Sequence, residues 1–154
     1  MLQCLMAIQP IPDAALQAQQ TQSVQLVRNG EQATVSMQVP VPPRRAWKVL
    51  TNYTQTLGAM PDVVSVQLVS RQNQTVRLRQ VLQAPYTFGL RVQALLEGKE
   101  DPQRLRLSYS LVNGERIRAL SGRWTLTPEA GGTRVVHSIQ LTPEVPTFLQ
   151  GSFI

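Results

Sequence analysis

The chain has one cysteine, Cys4, and one histidine, His137, in 154 residues. One thiol cannot close an internal disulfide. Neither a cysteine-based zinc site nor a paired-histidine metal site can be assembled from such a set. Acids are also scarce, 9 against 15 basic residues. Asp62, Glu97, Glu100, Asp101, Glu115, Glu129 and Glu144 fall mostly at expected turns or strand ends. No glycine-rich phosphate loop, H-E-x-x-H or G-x-S-x-G motif occurs. No cofactor and no metal are therefore expected. Aromatic residues make up only 5% of the chain, and Trp47 and Trp124 stand apart with no basic stripe between them. Such spacing suits packing better than a stacking platform for nucleic acid, which is not expected as a partner. No apolar run approaches the roughly 18 residues of a membrane-spanning helix, so none is expected.

What is plentiful is arginine, which supplies most of a formal net charge of +6. That balance suits an anionic partner, RNA or a membrane surface, but equally a solvated sheet face. The arginines alternate along strands rather than cluster, which favours the solvated face. The length fits one domain with a core of its own. Residues 1–21 are rich in Gln and Ala, lack strand patterning and read as a loose arm or an export remnant, leaving 22–154 as the domain. The apolar start at residues 1–8 has no basic residue before it, so a cytoplasmic location is expected. Export to the periplasm is the alternative if the true start lies upstream, with small residues at 14–18 as a cleavage region.

The stretch at 119–141, ALSGRWTLTPEAGGTRVVHSIQL, organises the rest. Arg118, Leu120, Gly122, Trp124 and Leu126 share one face; beyond Gly131-Gly132, Val135, His137, Ile139 and Leu141 share another. Period-two patterning around a glycine turn predicts a long antiparallel hairpin with one buried side. Upstream, a strand at 23–28 leads through Asn29-Gly30 to a second at 32–39. Pro43 opens a short helix carrying Ala46, Trp47, Val49 and Leu50, and a second helix covers 53–60. Four more strands come next, at 62–70, 74–83, 88–97 and 103–112. Their apolar faces carry Val64, Val66 and Leu68; Val76, Leu78, Gln80 and Leu82; Leu90, Val92, Ala94 and Leu96; and Leu105, Leu107, Tyr109 and Leu111. Arg77, Arg79, Arg91, Arg104 and Arg106 take the opposite, outer faces.

This order, with VPVPPRRAWKVLTNY (39–53), MPDVVSV (60–66) and LSGRWTLTPEAGGTRVVHSIQL (120–141), resembles the START-like (SRPBCC) superfamily. Within it the resemblance is to the polyketide cyclase/dehydrase and coenzyme-Q-binding-like branch. It implies an α+β helix-grip fold. A curved seven-stranded antiparallel sheet would wrap a long C-terminal helix, with two short helices after the first strand and an apolar pocket between. Asn52 stands where the family commonly has Asp. Only the beginning of the C-terminal helix fits before Ile154, so a truncated helix is expected. The groove beneath it would then be closed by a ligand, by self-association or by an arm carrying Leu2, Leu5, Met6 and Ile8.

The resulting pocket expectation is a cavity bounded by Val76, Leu78, Gln80, Leu90, Val92, Leu107, Tyr109, Val135 and His137. Leu57, Met60 and Pro61 would form its mouth. His137 and Tyr109 are weak catalytic candidates, and a core histidine satisfied by a neighbour fits the same position. Gln80, Tyr109 and Ser65 are candidate polar groups for orienting a ligand. Arg123 belongs on the outer face unless a bulge turns it inward. The expected function is binding of an apolar small molecule, a lipid, quinone or polyketide-like compound, without catalysis. A polyketide aromatase/cyclase is one alternative, and an arginine-face module docking RNA or anionic membrane is another.

Overall fold

The computed structural model describes residues 24–83 and 89–144. The N-terminal arm at 1–21 and the expected C-terminal helix both lie outside the described residues. The elements run in order: β1 (Gln25–Asn29), β2 (Gln32–Val39), α1 (Pro43–Leu50), α2 (Tyr53–Gly58), β3 (Val63–Gln72), β4 (Thr75–Leu82), β5 (Val92–Asp101), β6 (Arg106–Gly114), β7 (Ile117–Glu129) and β8 (Gly132–Pro143). The strands form one curved sheet in the order β1-β2-β8-β7-β6-β5-β4-β3, antiparallel throughout. The sheet has eight strands where the resemblance implies seven. The additional strand is β1, paired to β2 through a tight turn in which Gly30 has φ +58°.

The topology forces a lid. β2 lies beside β8 near one edge, and β3 is the opposite edge strand. The connection between them must cross the sheet, and it does so as α1 and α2. α1 packs against β7 and β8, and α2 against β3. Pro43 sits in the first turn of α1, where its missing N–H costs nothing. The Thr133 hydroxyl, fully buried in β8, donates to the Val41 carbonyl at 2.7 Å and fixes where the chain leaves β2. Gly132 makes this approach feasible, since a Cβ there would lie 2.0 Å from the Val39 carbonyl oxygen. Of the apolar stripe expected on α1, Trp47 and Leu50 are buried but Val49 is exposed.

Two apolar clusters fill the concave side. One joins the helices to the middle of the sheet through Trp47, Leu50, Tyr53, Val76, Leu78, Leu107 and Leu126. The other contains Leu82, Val92, Ala94, Leu96, Ile117 and Leu120 from the strands alone. The alternation read from the sequence holds in β4, where burial switches residue by residue from Val76 to Gln80. Arg77, Arg79, Arg91, Arg104 and Arg106 are all exposed, as is Arg123, opposite Ser138 on the outer face.

The departures are at bulges, where one extra residue reverses the parity of the strand beyond it. In β3 the register shifts at Val64 and again at Val69. The first shift puts Val63 on the core side with Val66 and leaves Val64 exposed. Ser65 points outward opposite Val81, and Leu68, opposite Leu78, keeps the inward parity but is 41% exposed near the sheet edge. In β7 a shift beside Arg118 puts Ile117 in the core and leaves Arg118 exposed. Two starts also differ. The fifth strand begins at Val92 rather than 88, and the sixth at Arg106, after Leu105 takes a φ of +53°.

These differences set up a contrast. Leu107→Ala should cost about 2–5 kcal/mol, the usual result of truncating a buried leucine. Val64→Ala should change stability by no more than about 0.5 kcal/mol, as at other exposed positions. Urea unfolding checks both, and a large loss from Val64→Ala would mean that the bulge is absent.

Candidate functional site

Between the crossing helices and the sheet lies a cavity of about 360 Å³. Its wall runs from the end of α1 (Leu50) through Tyr53 and Leu57 of α2 and the connecting Met60, Pro61 and Asp62. It then continues across inward-facing positions of β4 to β8. The lining is predominantly aliphatic and aromatic. Its polar groups are Tyr53, Asp62, Gln80, Tyr109 and His137, with the Trp124 indole beside them.

Register explains how three of these meet. Val76, Gly98, Tyr109, Gly122 and Ile139 form one inward row across β4 to β8. Leu107, Trp124 and His137 form the neighbouring row. Tyr109 therefore has glycine on both sides. A Cβ at Gly122 would lie 2.3 Å from the Tyr109 hydroxyl oxygen, so the phenol occupies the space where a side chain would stand. Its hydroxyl reaches over β7 to His137 Nε2 at 2.7 Å. On its other side the imidazole stacks on Trp124, with ring centroids 3.8 Å apart and planes 4° from parallel.

Burial determines the charge state of this cluster. It pushes His137 down to about 4 and the Tyr109 phenol upward, so both are neutral near pH 7. The pair then shares two protons. If the phenol donates to Nε2, the Nδ1–H remains; if Nε2–H donates to the phenol, the O–H remains. In either arrangement one donor is left after the mutual bond. Among the described residues no other group hydrogen-bonds to the imidazole or to the phenol.

At the other side, Tyr53 donates to Glu100, which also pairs with Arg71 at 2.8 Å. Burial first and the Glu100 hydrogen bond second hold the Tyr53 phenol well above its usual range. Arg71 reaches this network because the bulge at Val69 sets it opposite Val76, on the inward parity. The result ties α2, through Tyr53, to both β5 and the β3 edge.

The structure places Leu57, Met60, Val76, Leu78, Gln80, Leu107, Tyr109 and His137 on the lining. Three other expected residues are elsewhere. Leu90 precedes β5 and is 47% exposed, Val92 is buried in the strand-only cluster, and Val135 packs against the helix-covered cluster. Ser65 faces outward, opposite Val81, because it alternates with the inward-facing Val66. Sequence reasoning missed the Tyr53–Glu100–Arg71 network, which depends on a bulge. It also treated Trp124 as packing alone. A glycine amid the alternating residues of β7 was the available signal that another group approaches closely there. Among the described residues, no cluster of three His, Cys, Asp or Glu side chains could hold a metal ion.

Comparison with known proteins fits this architecture. A family profile described as polyketide cyclase / dehydrase and lipid transport matches residues 31–153. The chain belongs to that family. No curated protein matches it. Among solved structures, TTHA0849 from Thermus thermophilus is 26% identical, with a TM-score of 0.70 over 77% of this chain and 78% of that one. The Zhui aromatase/cyclase from a Streptomyces species is 16% identical, with a TM-score of 0.64 over 82% of this chain and 72% of that one. A STAR-related lipid transfer protein from Xanthomonas axonopodis is 16% identical, with a TM-score of 0.59 over 84% and 88%. At such identities the last two show shared fold.

The histidine makes a pH prediction. An unfolded chain protonates His137 near 6.5, whereas the folded protein resists until about 4. Because the folded value is the lower one, this group has no effect well above 6.5. It removes stability as pH falls from 6.5 towards 4, by up to about 3 kcal/mol. His137→Gln should flatten that part of the profile, so that the urea midpoints of variant and parent converge as acid is added. Midpoints that stay parallel would mean that the imidazole protonates freely in the folded protein.

Proposed function

We propose that this protein binds an apolar small molecule, of lipid, quinone or polyketide-like character, in the cavity beneath α1 and α2. The observation that carries the reading is the cavity itself, about 360 Å³ of mainly apolar lining with a few polar groups. That volume falls at the lower end of the range for small-molecule sites. The driving force is burial, about 25 cal/mol for each Å² of apolar ligand surface removed from water, before the costs of association. Membership of a family described by polyketide cyclisation and lipid transport supports the same class of ligand.

The two strongest catalytic candidates favour binding over chemistry. A general acid or base works best with a pKa near the working pH. Burial moves His137 down to about 4 and Tyr109 upward, both away from that optimum. The aromatase/cyclase reading is therefore the weaker of the two. The outer arginine face is partly neutralised, with Arg77 on Glu97 and Arg134 on Glu129, which weakens the RNA or membrane reading.

Trp124 on the lining supplies a direct test. In a Trp47→Phe background it is the only tryptophan left. Titration with Nile red, an uncharged apolar dye, should quench its emission saturably as the dye's own emission rises and shifts to the blue. Indole emission indifferent to the dye, together with a native mass spectrum showing no retained small molecule, would contradict the proposal.

A further inference from the structure

Gln80 is a polar residue on the lining whose side chain no described residue hydrogen-bonds. It lies in the middle of β4 with Val66 on one side and Ala94 on the other, facing inward. It is only 6% exposed. Its amide carries two donors and an acceptor with two lone pairs, yet it has no hydrogen-bond partner among the described residues. Among those residues, no side-chain nitrogen or oxygen is both sealed from solvent and unpartnered. The Gln80 amide must therefore keep a small accessible surface, and the space it borders is the cavity. A buried amide with nothing to bond destabilises a fold, and leucine would fill the same volume without that cost.

The charges around the cavity narrow what the amide can meet. Among the described residues no lysine or arginine lines it, and the one acidic side chain on the lining is Asp62, at the mouth. Arg71 is engaged by Glu100 behind Tyr53. A carboxylate or phosphate placed inside would lose its hydration without a cation to replace it. A hydroxyl or carbonyl would find the amide ready.

Resting on the reading of this cavity as a ligand site, we propose that Gln80 is its specificity-determining anchor. It selects uncharged, largely apolar molecules bearing a hydroxyl or carbonyl, and excludes anionic ones such as fatty acid carboxylates. The amide can turn either its N–H or its carbonyl to the ligand, so alcohols and ketones are both accepted.

Three probes of one shape separate these terms: naphthalene, 2-naphthol and 2-naphthoate, titrated by calorimetry near pH 7.5 into the parent and Gln80→Leu proteins. In the parent, 2-naphthol should bind about threefold to tenfold more tightly than naphthalene, as one added hydrogen bond allows. The naphthoate should bind most weakly. Gln80→Leu should bring naphthol down to the level of naphthalene, leave naphthalene binding intact, and raise the melting temperature of the ligand-free protein. Equal affinities for naphthol and naphthalene in the parent would overturn the assignment, as would a naphthol preference that survives Gln80→Leu. A lower melting temperature for the ligand-free variant would also overturn it, because the amide would then already have a partner. If none of the three probes binds the parent, the reading of the cavity as a ligand site fails, and this inference with it.

Discussion

The crossing from β2 to β3 is the constraint on which the rest of the molecule depends. Because β8 pairs with β2, the first and last long strands are neighbours, and β3 is left at the far edge. The chain between them has to pass over the inward face. Two short helices make the passage, anchored at one end by Trp47 and Leu50 and at the other by Tyr53 on Glu100. The volume left between this crossing and the inward face of the sheet is the cavity.

The strands then decide what the cavity wall presents. Alternation places aliphatic side chains on most inward positions, which makes the wall apolar. Where polar groups occur, smaller neighbours or bulges accommodate them. Glycines on either side of Tyr109 let the phenol reach across β7 to bond the edge of His137, whose face stacks on Trp124. Low local polarity keeps the imidazole and phenol uncharged. The same environment that suits an apolar ligand thus removes the acid and base strengths that proton transfer near neutral pH requires.

Most of this wall was legible in the sequence because period two is a strong signal. Val76, Leu78, Gln80, Leu107, Tyr109 and His137 could be assigned to one side from alternation alone. Three kinds of detail were not legible. Bulges at Val64 and Val69 depend on how β3 meets β4 and leave no mark in β3's own pattern. Strand starts depend on local turns, which moved Leu90 out of β5 and onto the surface. Contacts between distant segments, Tyr53 with Glu100 or Trp124 with His137, arise from packing and not from spacing. Val92 and Val135 show a further limit: alternation identifies the buried side of a strand but not which part of it borders empty space.

A neutral, ligand-accessible cavity on the concave side, with His137 on its wall, is the centre of this picture, and the imidazole tests it most directly. Because His137 is the only histidine in the chain, nitrogen NMR of its ring reports on this site alone. A single neutral tautomer is expected from neutral pH down to about pH 5. The imidazole resonances should also shift saturably when 2-naphthol is added. An imidazole that titrates near its ordinary 6.5 and ignores the added molecule would contradict both.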